Sequence, residues 1–358
     1  MAASDSTVTN KSWFLKEYPK GLPQESLFEL RESQLSTKLD EGSDDVLVKV
    51  LYLSLDPYMR GRMKAGGSGY AQGFSLAKPL VGGAVGVVVS SANSKFKEGD
   101  FVLGSLGWEL FTLVPKGQGL RPIDPKGLPL SYFLGVLGMT GLTAYCGLFD
   151  IGDPKEGETV YVSAASGAVG QIVGQLAKIK GAHVVGSAGS AEKVELLKNT
   201  FKYDEAFNYK DEPDLSAALK KYCPKGIDVY FENVGGSMLE AVLQNANTHA
   251  RIPVCGMISQ YNLEEGEGIH GLIQLIAKRI KMQGFLVGDY MTSPLAKSFP
   301  DDVSKWLKEG KIKYVEDVSE GLESAPQAFI GLLQGHNVGK LVVHVADDER
   351  APKAKQEE

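Results

Sequence analysis

The sequence predicts an α/β chain, in which a doubly wound parallel sheet is joined to a second, β-rich domain. Three observations predict it. Up to about residue 130 the chain carries β-branched, glycine-interrupted runs and few helical patterns. From about residue 131, short apolar strands alternate with helical stripes, the signature of βαβ units and a parallel sheet. Beyond about residue 300 the chain turns β-rich again, so its end is expected to return to the first domain. The expected boundaries are 1–130, 131–300 and 301–358.

The elements follow in order. DDVLVKVLYLSL (44–55) and LVGGAVGVVVSS (80–91) read as strands, the second with glycines that mark bulges or close backbone approach. In FKEGDFVLG (96–104), Glu98-Gly99-Asp100 turns and Phe101-Val102-Leu103 extends. TVYVS (159–163) is a strand, and Val169, Ile172, Val173, Leu176 and Ile179 then share one helical face. AHVVGS (182–187) and EAFNY (205–209) are strands separated by a helix over 191–199. Leu215, Ala218, Leu219 and Tyr222 stripe the next helix. IDVYFENV (227–234) and ARIPVCG (250–256) are strands around a helix in SMLEAVLQNA. HGLIQLIAKRI (270–280) reads as a helix and KMQGFLVG (281–288) as a strand. The helix DDVSKWLKEG, then KIKYVEDV and the terminal strand GKLVVHV, complete the chain.

Composition narrows the function. The 358 residues are 43% hydrophobic and 23% charged, with a net charge of −6, as in a globular protein of about two domains. No stretch combines Lys and Arg with aromatics, so nucleic acid is not an expected partner. No apolar run approaches the roughly 18–20 residues that span a membrane, so no membrane partner is expected. The N-terminal stretch lacks the apolar core of a signal peptide, and the charged tail RAPKAKQEE carries no lipidation or retrieval signal. Cys146, Cys223 and Cys255 are odd in number and far apart, which fits a reducing, cytoplasmic setting.

The segment TVYVS-AASGAVG-QIVGQLAKIKG places strand, tight loop and helix start in the order a dinucleotide site needs. Gly167 and Gly170 match the second and third glycines of GxGxxG, and Ala165 stands at the first. The helix start offers unpaired N–H groups to phosphate oxygens. The plainer reading, a glycine-rich turn with no ligand, is weakened by the further βα units downstream. This is therefore a Rossmann-type arrangement. Sites that prefer NADH place Asp or Glu at the end of the second strand, where a carboxylate would repel a 2′-phosphate. Here Ser187 occupies that region, and no acid precedes Glu192. Lys193 supplies a cation in the first turn of the following helix, although most such lysines are merely solvated. NADPH/NADP+ is the expected cofactor.

Ligands of such sheets lie beyond the carboxyl ends of the strands. ENVGG (232–236), CGMISQYN (255–262) and FLVGDY (285–290) are three such ends. Tyr261 is the most useful donor among them. Enone reduction delivers hydride to the β-carbon and leaves an enolate, which a phenol can hydrogen-bond or protonate. On spacing alone Tyr261 reads equally as a structural loop residue. His183, His249, His270, His336 and His344 show no zinc spacing with Cys or Glu, and 61–74 contains neither Cys nor His, so no metal is expected. A GxSxG elbow is absent, which leaves hydrolase chemistry unsupported.

YLSLDPYMRGRM (52–63), LGMTGLTAY (137–145), VSAASGAVGQ (162–171), FNYK (207–210), FENVGG (231–236), CGMISQYN (255–262), GFLVGDY (284–290) and HNVGKLVV (336–343) together carry a likeness. Over nearly its whole length the chain resembles the zinc-independent medium-chain dehydrogenase/reductases. It is most similar to the plant NADPH-dependent alkenal (double-bond) reductases and the animal prostaglandin reductases. The resemblance implies a GroES-like catalytic domain (1–130, rejoined by 301–358), an inserted NADPH-binding domain (131–300) and a homodimer. It also implies that Gly167, Ala168, Val169 and Gly170 hold the pyrophosphate, and that Lys193 and Tyr209, beside Gly189, hold the 2′-phosphate. Asn233, Cys255, Ser259, the backbone of Phe285, Leu286 and Val287, and Asn337 would line the cofactor. Tyr261 would lie at the cofactor and face the substrate carbonyl, and Tyr52 would line the substrate pocket. Two positions depart from the pattern. Gly82-Gly83 stands where plant members often carry an aromatic, which would widen or reshape the acceptor pocket, and Ser54-Leu55 replaces the usual Ser-Cys.

The expected activity is therefore NADPH-dependent reduction of the carbon–carbon double bond of small enals and enones. A quinone reductase of the same superfamily is the alternative. A non-catalytic NADPH-binding protein is the alternative from another class.

Overall fold

The computed structural model describes residues 7–351. It divides into two compact units: the first runs to Leu134 and takes up Asp317–His336 and the chain from Leu341 on, and the second comprises Gly135–Glu316 and Asn337–Lys340.

The second unit is built on six strands: β1 (Thr159–Val162), β2 (His183–Ala188), β3 (Glu205–Asn208), β4 (Ile227–Phe231), β5 (Ala246–Val254) and β6 (Lys281–Gly284). All neighbouring pairs are parallel, in the order β3-β2-β1-β4-β5-β6. This is the dinucleotide-binding order, and it reverses between β1 and β4. The central strands are mostly buried because helices cover both faces, and every residue of β1 is buried.

Helix α1 (Gly170–Ile179) docks closely because glycine leaves room for one ring. A Cβ on Gly174 would overlap the Tyr203 ring, and one on Gly186 would lie 2.7 Å from Tyr203 Cε1. Tyr203 is thereby buried between helix and sheet, and its hydroxyl donates to the Gly170 carbonyl at 2.8 Å. The remaining helices flanking the central strands are α2 (Ala191–Glu195), α3 (Leu215–Tyr222) and α4 (Gly236–Asn245). Asp214 caps α3 by accepting from the Ser216 and Ala217 amides.

Several expectations change in detail. The helix expected over 270–280 is only one turn, Ile273–Ala277, whose Ile273 and Ile276 side chains are exposed and so gain no core packing. The strand expected over 281–288 ends at Gly284. Phe285 turns its ring edge-on to Phe231, with centroids 6.3 Å apart, and Val287–Tyr290 coils into a 3-10 turn. The helix expected at 301 begins at Pro294, because the Ser293 hydroxyl accepts from the Ala296 amide and Pro294 suits the first turn. Two helices had no clear signal, Met139–Cys146 and Ala325–Leu333.

In the first unit, an antiparallel sheet runs through Lys340–His344, Val46–Ser54, Val81–Ser91 and Phe101–Gly107. A separate antiparallel pair, Thr7–Leu15 with Phe28–Ser36, was not expected from the sequence. The DPYMR stretch has a structural task here. Asp56 is buried and accepts from the Ser54 hydroxyl at 2.5 Å, while the buried Arg60 guanidinium donates to the Gly21 carbonyl at 2.7 Å. At the Gly82-Gly83 departure, a Cβ on Gly82 would meet Met59 Cε at 2.6 Å and the Ser54 carbonyl at 3.3 Å. Gly82 is thus a close-packing glycine, with no empty volume beside it that a missing side chain would have filled. A Cβ on Gly83 would make ordinary contacts with Ser54 and Leu134.

Candidate active site

In the second unit, the carboxyl ends of β1, β2, β4 and β5 bring the phosphate loop, the Gly189 corner, the Glu232–Gly236 turn and the Cys255–Tyr261 segment to one rim of the sheet. At β1, Ala164 takes a left-handed φ of 47° without being glycine, a strain that recurs at functional loops. Gly170 is the glycine that cannot change, since a Cβ there would lie 2.5 Å from the Ala164 carbonyl oxygen and 2.7 Å from Ala165 Cα. A Cβ on Gly167 would meet only the Ala164 oxygen, at 3.2 Å, so the loop face at Gly167 is open. No side chain caps α1 at Val169. An open glycine loop leading into a ten-residue helix with no side-chain cap suits a pyrophosphate at the 168–170 turn, since the Gln171, Ile172 and Val173 amides already donate to the Gly167 and Val169 carbonyls. Ala168 and Val169 are half-buried on this turn.

At β2, Ser187 proves to be a core residue: it is buried, and its hydroxyl lies 2.7 Å from the Tyr161 hydroxyl. The corner past it is polar and crowded. The Tyr209 amide donates to the Ala188 carbonyl at 3.1 Å, which brings the end of β3 alongside. A Cβ on Gly189 would lie 3.3 Å from both Tyr209 Cε1 and Lys210 Cε and 3.4 Å from the Tyr209 hydroxyl. Ser190 caps α2 by accepting from the Lys193 amide, and Lys193 is only 8% exposed. By its strand pattern Tyr209 would be a buried residue, but β3 ends at Asn208 and Tyr209 is 41% exposed. The corner therefore offers a phenol and lysines with no carboxylate in the Ser187–Ser190 stretch, which suits a phosphate dianion.

At β4, Asn233 Nδ2 donates to the Ser163 carbonyl at 2.8 Å and its amide donates to the Ser163 hydroxyl, which joins the rims of β1 and β4. Glu232 is fully buried. Burial pushes its carboxyl group up from the usual range, against the Gly235 amide, the Tyr230 hydroxyl and the Val234 amide, which favour the ionised form. At β5, burial and the nearby Glu232 push the Cys255 thiol up to about 12, so it stays a neutral thiol and a poor nucleophile.

Tyr261 follows a single 3-10 turn, Ile258–Gln260. Its phenol folds back over the end of β5, where its oxygen accepts from the Met257 amide at 3.2 Å. A Cβ on Gly256 would lie 3.0 Å from that oxygen, so glycine makes the approach possible. The phenol oxygen is thus an acceptor toward the backbone, so its own hydrogen points away from that amide. An N–H aimed at the oxygen also steadies the charge that builds there when the proton leaves. Ser259 is exposed, and its hydroxyl donates to the Val234 carbonyl at 2.6 Å. Phe285 anchors this end through its ring, leaving the Phe285–Val287 backbone at the rim with Leu286 exposed. Gly339 meets the phosphate loop from the far end of the chain, its amide donating to the Ser166 carbonyl at 3.1 Å, and Asn337 Nδ2 donates to the Gly339 carbonyl at 2.8 Å. In the first unit, Tyr52 is half-buried, with its ring 5.0 Å from that of His344.

Among the described residues, no group of three or more His, Cys, Asp or Glu could hold a metal ion. Sequence reasoning missed Glu232, Ser163 and Lys210. Glu232 stood beside a strand end in FENVGG, but nothing in the sequence showed that its side chain turns inward.

Residues 11–123 match a family profile described as the N-terminal domain of oxidoreductase, and 168–309 match one described as zinc-binding dehydrogenase. A 2-alkenal reductase (NADP(+)-dependent) of Nicotiana tabacum is 55% identical, over 95% of this chain and 98% of its own. The chain belongs to the medium-chain dehydrogenase/reductase family. Another relative in this family, a (+)-pulegone reductase of Mentha piperita, is 49% identical over 95% of this chain and 99% of its own. The crystal structure of CurA in complex with NADPH from Vibrio vulnificus superposes with a TM-score of 0.87 and 45% identity, covering 94% of this chain and 100% of that one. The dehydrogenase/reductase architecture expected from the sequence is thus the one observed.

Proposed function

We propose that this chain uses NADPH to reduce the carbon–carbon double bond of α,β-unsaturated aldehydes and ketones, giving saturated carbonyl compounds. The observation that carries the reading is the 55% identity, over nearly the full length, to a tobacco enzyme named as an NADP-dependent 2-alkenal reductase. The rim geometry supports it, since Tyr261 sits at a strand end with its phenol oxygen fixed by a backbone amide. Bound NADPH supplies the hydride that goes to the substrate β-carbon.

In this reading the Gly167–Gly170 loop binds the pyrophosphate, while Lys193 and Tyr209 at the Gly189 corner bind the 2′-phosphate. Asn233, Cys255, Ser259, the Phe285–Val287 backbone and Asn337 line the remaining length. Tyr261 donates a hydrogen bond to the substrate carbonyl oxygen as negative charge develops there, and supplies the α-carbon proton directly or through water. Tyr52 lines the substrate pocket. The first unit is the catalytic domain and the second the NADPH-binding domain. The test is NADPH consumption with a panel of enals, enones and quinones, with product analysis. Saturated carbonyls are the expected products, and allylic alcohols as main products would overturn the assignment.

The protein is read further as a homodimer. β6 is an edge strand with an unpaired outer ladder, and Ile273 and Ile276 beside it are 63% and 75% exposed. Sedimentation should give the dimer mass, and Ile276→Glu should shift it toward monomer. A monomeric wild-type protein would refute this. No helix among the described residues is long and apolar enough to cross a membrane. The three free thiols, Cys146, Cys223 and Cys255, suit the cytoplasm.

A further inference from the structure

Glu232 has no part in the reading above, yet it ties together every backbone segment that leads to Tyr261. Its Oε1 accepts from the Tyr230 hydroxyl at 2.7 Å and from the Val234 and Gly235 amides at 2.6 and 2.9 Å. Those bonds close the turn out of β4, where Gly235 and Gly236 hold left-handed φ values of 74° and 53°. The Glu232 backbone carbonyl accepts from the Cys255 and Gly256 amides at 3.0 and 3.2 Å, which ties the end of β5 beside it.

The turn then passes its position on. The Asn233 carbonyl accepts from the Ile258 amide at 3.1 Å. The Val234 carbonyl accepts from the Ser259 amide at 3.1 Å and from the Ser259 hydroxyl at 2.6 Å. Ile258–Gln260 is the 3-10 turn directly before Tyr261, whose own amide donates to the Ile258 carbonyl at 3.3 Å. Without Oε1, the Val234 and Gly235 amides would lose their acceptor, and the turn would have to shift to find another. Any such shift moves the 233 and 234 carbonyls, and Ile258–Tyr261 moves with them.

We propose that Glu232 is a positioning residue: through the 233 and 234 carbonyls, its carboxyl group holds the Tyr261 phenol where it meets the substrate. This rests on the reading of Tyr261 as the substrate-side donor. The group needed is an oxygen acceptor at the Oε1 position, and a negative charge is not required. Gln keeps the acceptor and loses the charge. Asp keeps the charge and withdraws the oxygen by one methylene. Ala loses both.

The full chain with Glu232→Gln, Glu232→Asp and Glu232→Ala separates these possibilities. Hydrogen exchange of the protein without cofactor should speed up at Val234, Gly235, Ile258 and Ser259 in the Asp and Ala variants, with β1 and β2 unchanged. Their kcat for an enone should fall by about tenfold or more, because small misplacements of a catalytic group are costly. KM for NADPH should rise by less than kcat falls, because the Asn233 and Ser259 contacts shift while the phosphate loop and the Gly189 corner stay in place. Gln should restore both the exchange protection and kcat.

Three results would overturn the proposal. One is an unchanged kcat in the Asp or Ala variant. Another is loss of kcat in Gln while its amides stay protected, which would assign the role to charge. The third is unchanged exchange at Ile258 and Ser259 in Asp. If Ala does not fold, Asp and Gln decide the matter alone. A wild-type protein that reduces no enone would fail the functional reading, while the exchange pattern would still decide whether Glu232 holds the Tyr261 segment.

Discussion

Tyr261→Phe should lower kcat/KM for enone reduction by roughly 10²- to 10³-fold, the range that a positioned proton donor contributes. The change removes one oxygen that accepts from the Met257 amide at 3.2 Å. On a half-buried loop that bond is worth about 1 kcal/mol to folding. A hundredfold rate loss corresponds to about 2.7 kcal/mol of transition-state stabilisation. The two magnitudes separate the roles: activity should collapse while the thermal midpoint moves little. KM for NADPH should be nearly unchanged, because the phenol acts on the acceptor. Quinone reduction needs no proton delivered to carbon, so the variant should retain most of it. Loss of stability with intact enone turnover would instead make Tyr261 a structural loop residue.

Lys193→Ala should cut kcat/KM for NADPH by roughly 10- to 100-fold and leave NADH nearly untouched, as expected for one charge-assisted bond of about 1.5–3 kcal/mol. The geometry favours a specific effect. Ser187 turns into the core toward Tyr161, so the β2 end presents neither an acid nor that hydroxyl to a ribose. The exposed Tyr209 and the Lys210 side chain lie around Gly189, and the Ser190 hydroxyl holds the start of α2 by accepting the Lys193 amide. The measurement is the ratio of catalytic efficiencies with the two cofactors. An equal fall with both would show that Lys193 acts through packing, consistent with its 8% exposure, and would remove it from the phosphate site.

Most of the parallel sheet was legible because its signals are local. TVYV, the 169–179 stripe and the glycine loop are each dictated by the periodicity of a few consecutive residues. The pattern misled where burial, and not periodicity, decides. The apolar run 270–280 forms only a single turn because it remains outside the core. Residues 285–288 leave the strand because Phe285 finds Phe231. Tyr209 passes from an expected core position to the surface because β3 stops one residue earlier.

The candidate site divides in the same way. From the sequence alone came the dinucleotide loop, the missing acid after the second strand and a tyrosine past a strand end, since each is a matter of residue type at a fixed spacing. Only the tertiary structure decided which way the side chains turn. It turned Ser187 inward and Tyr209 outward, and it buried Glu232. It also brought residues near 163, 233 and 256 into one hydrogen-bonded rim. The reason is physical. Spacing along a strand fixes alternation, but the partner of a buried polar group comes from another strand, and the hydrogen bond it must find is made only when the chain closes on itself.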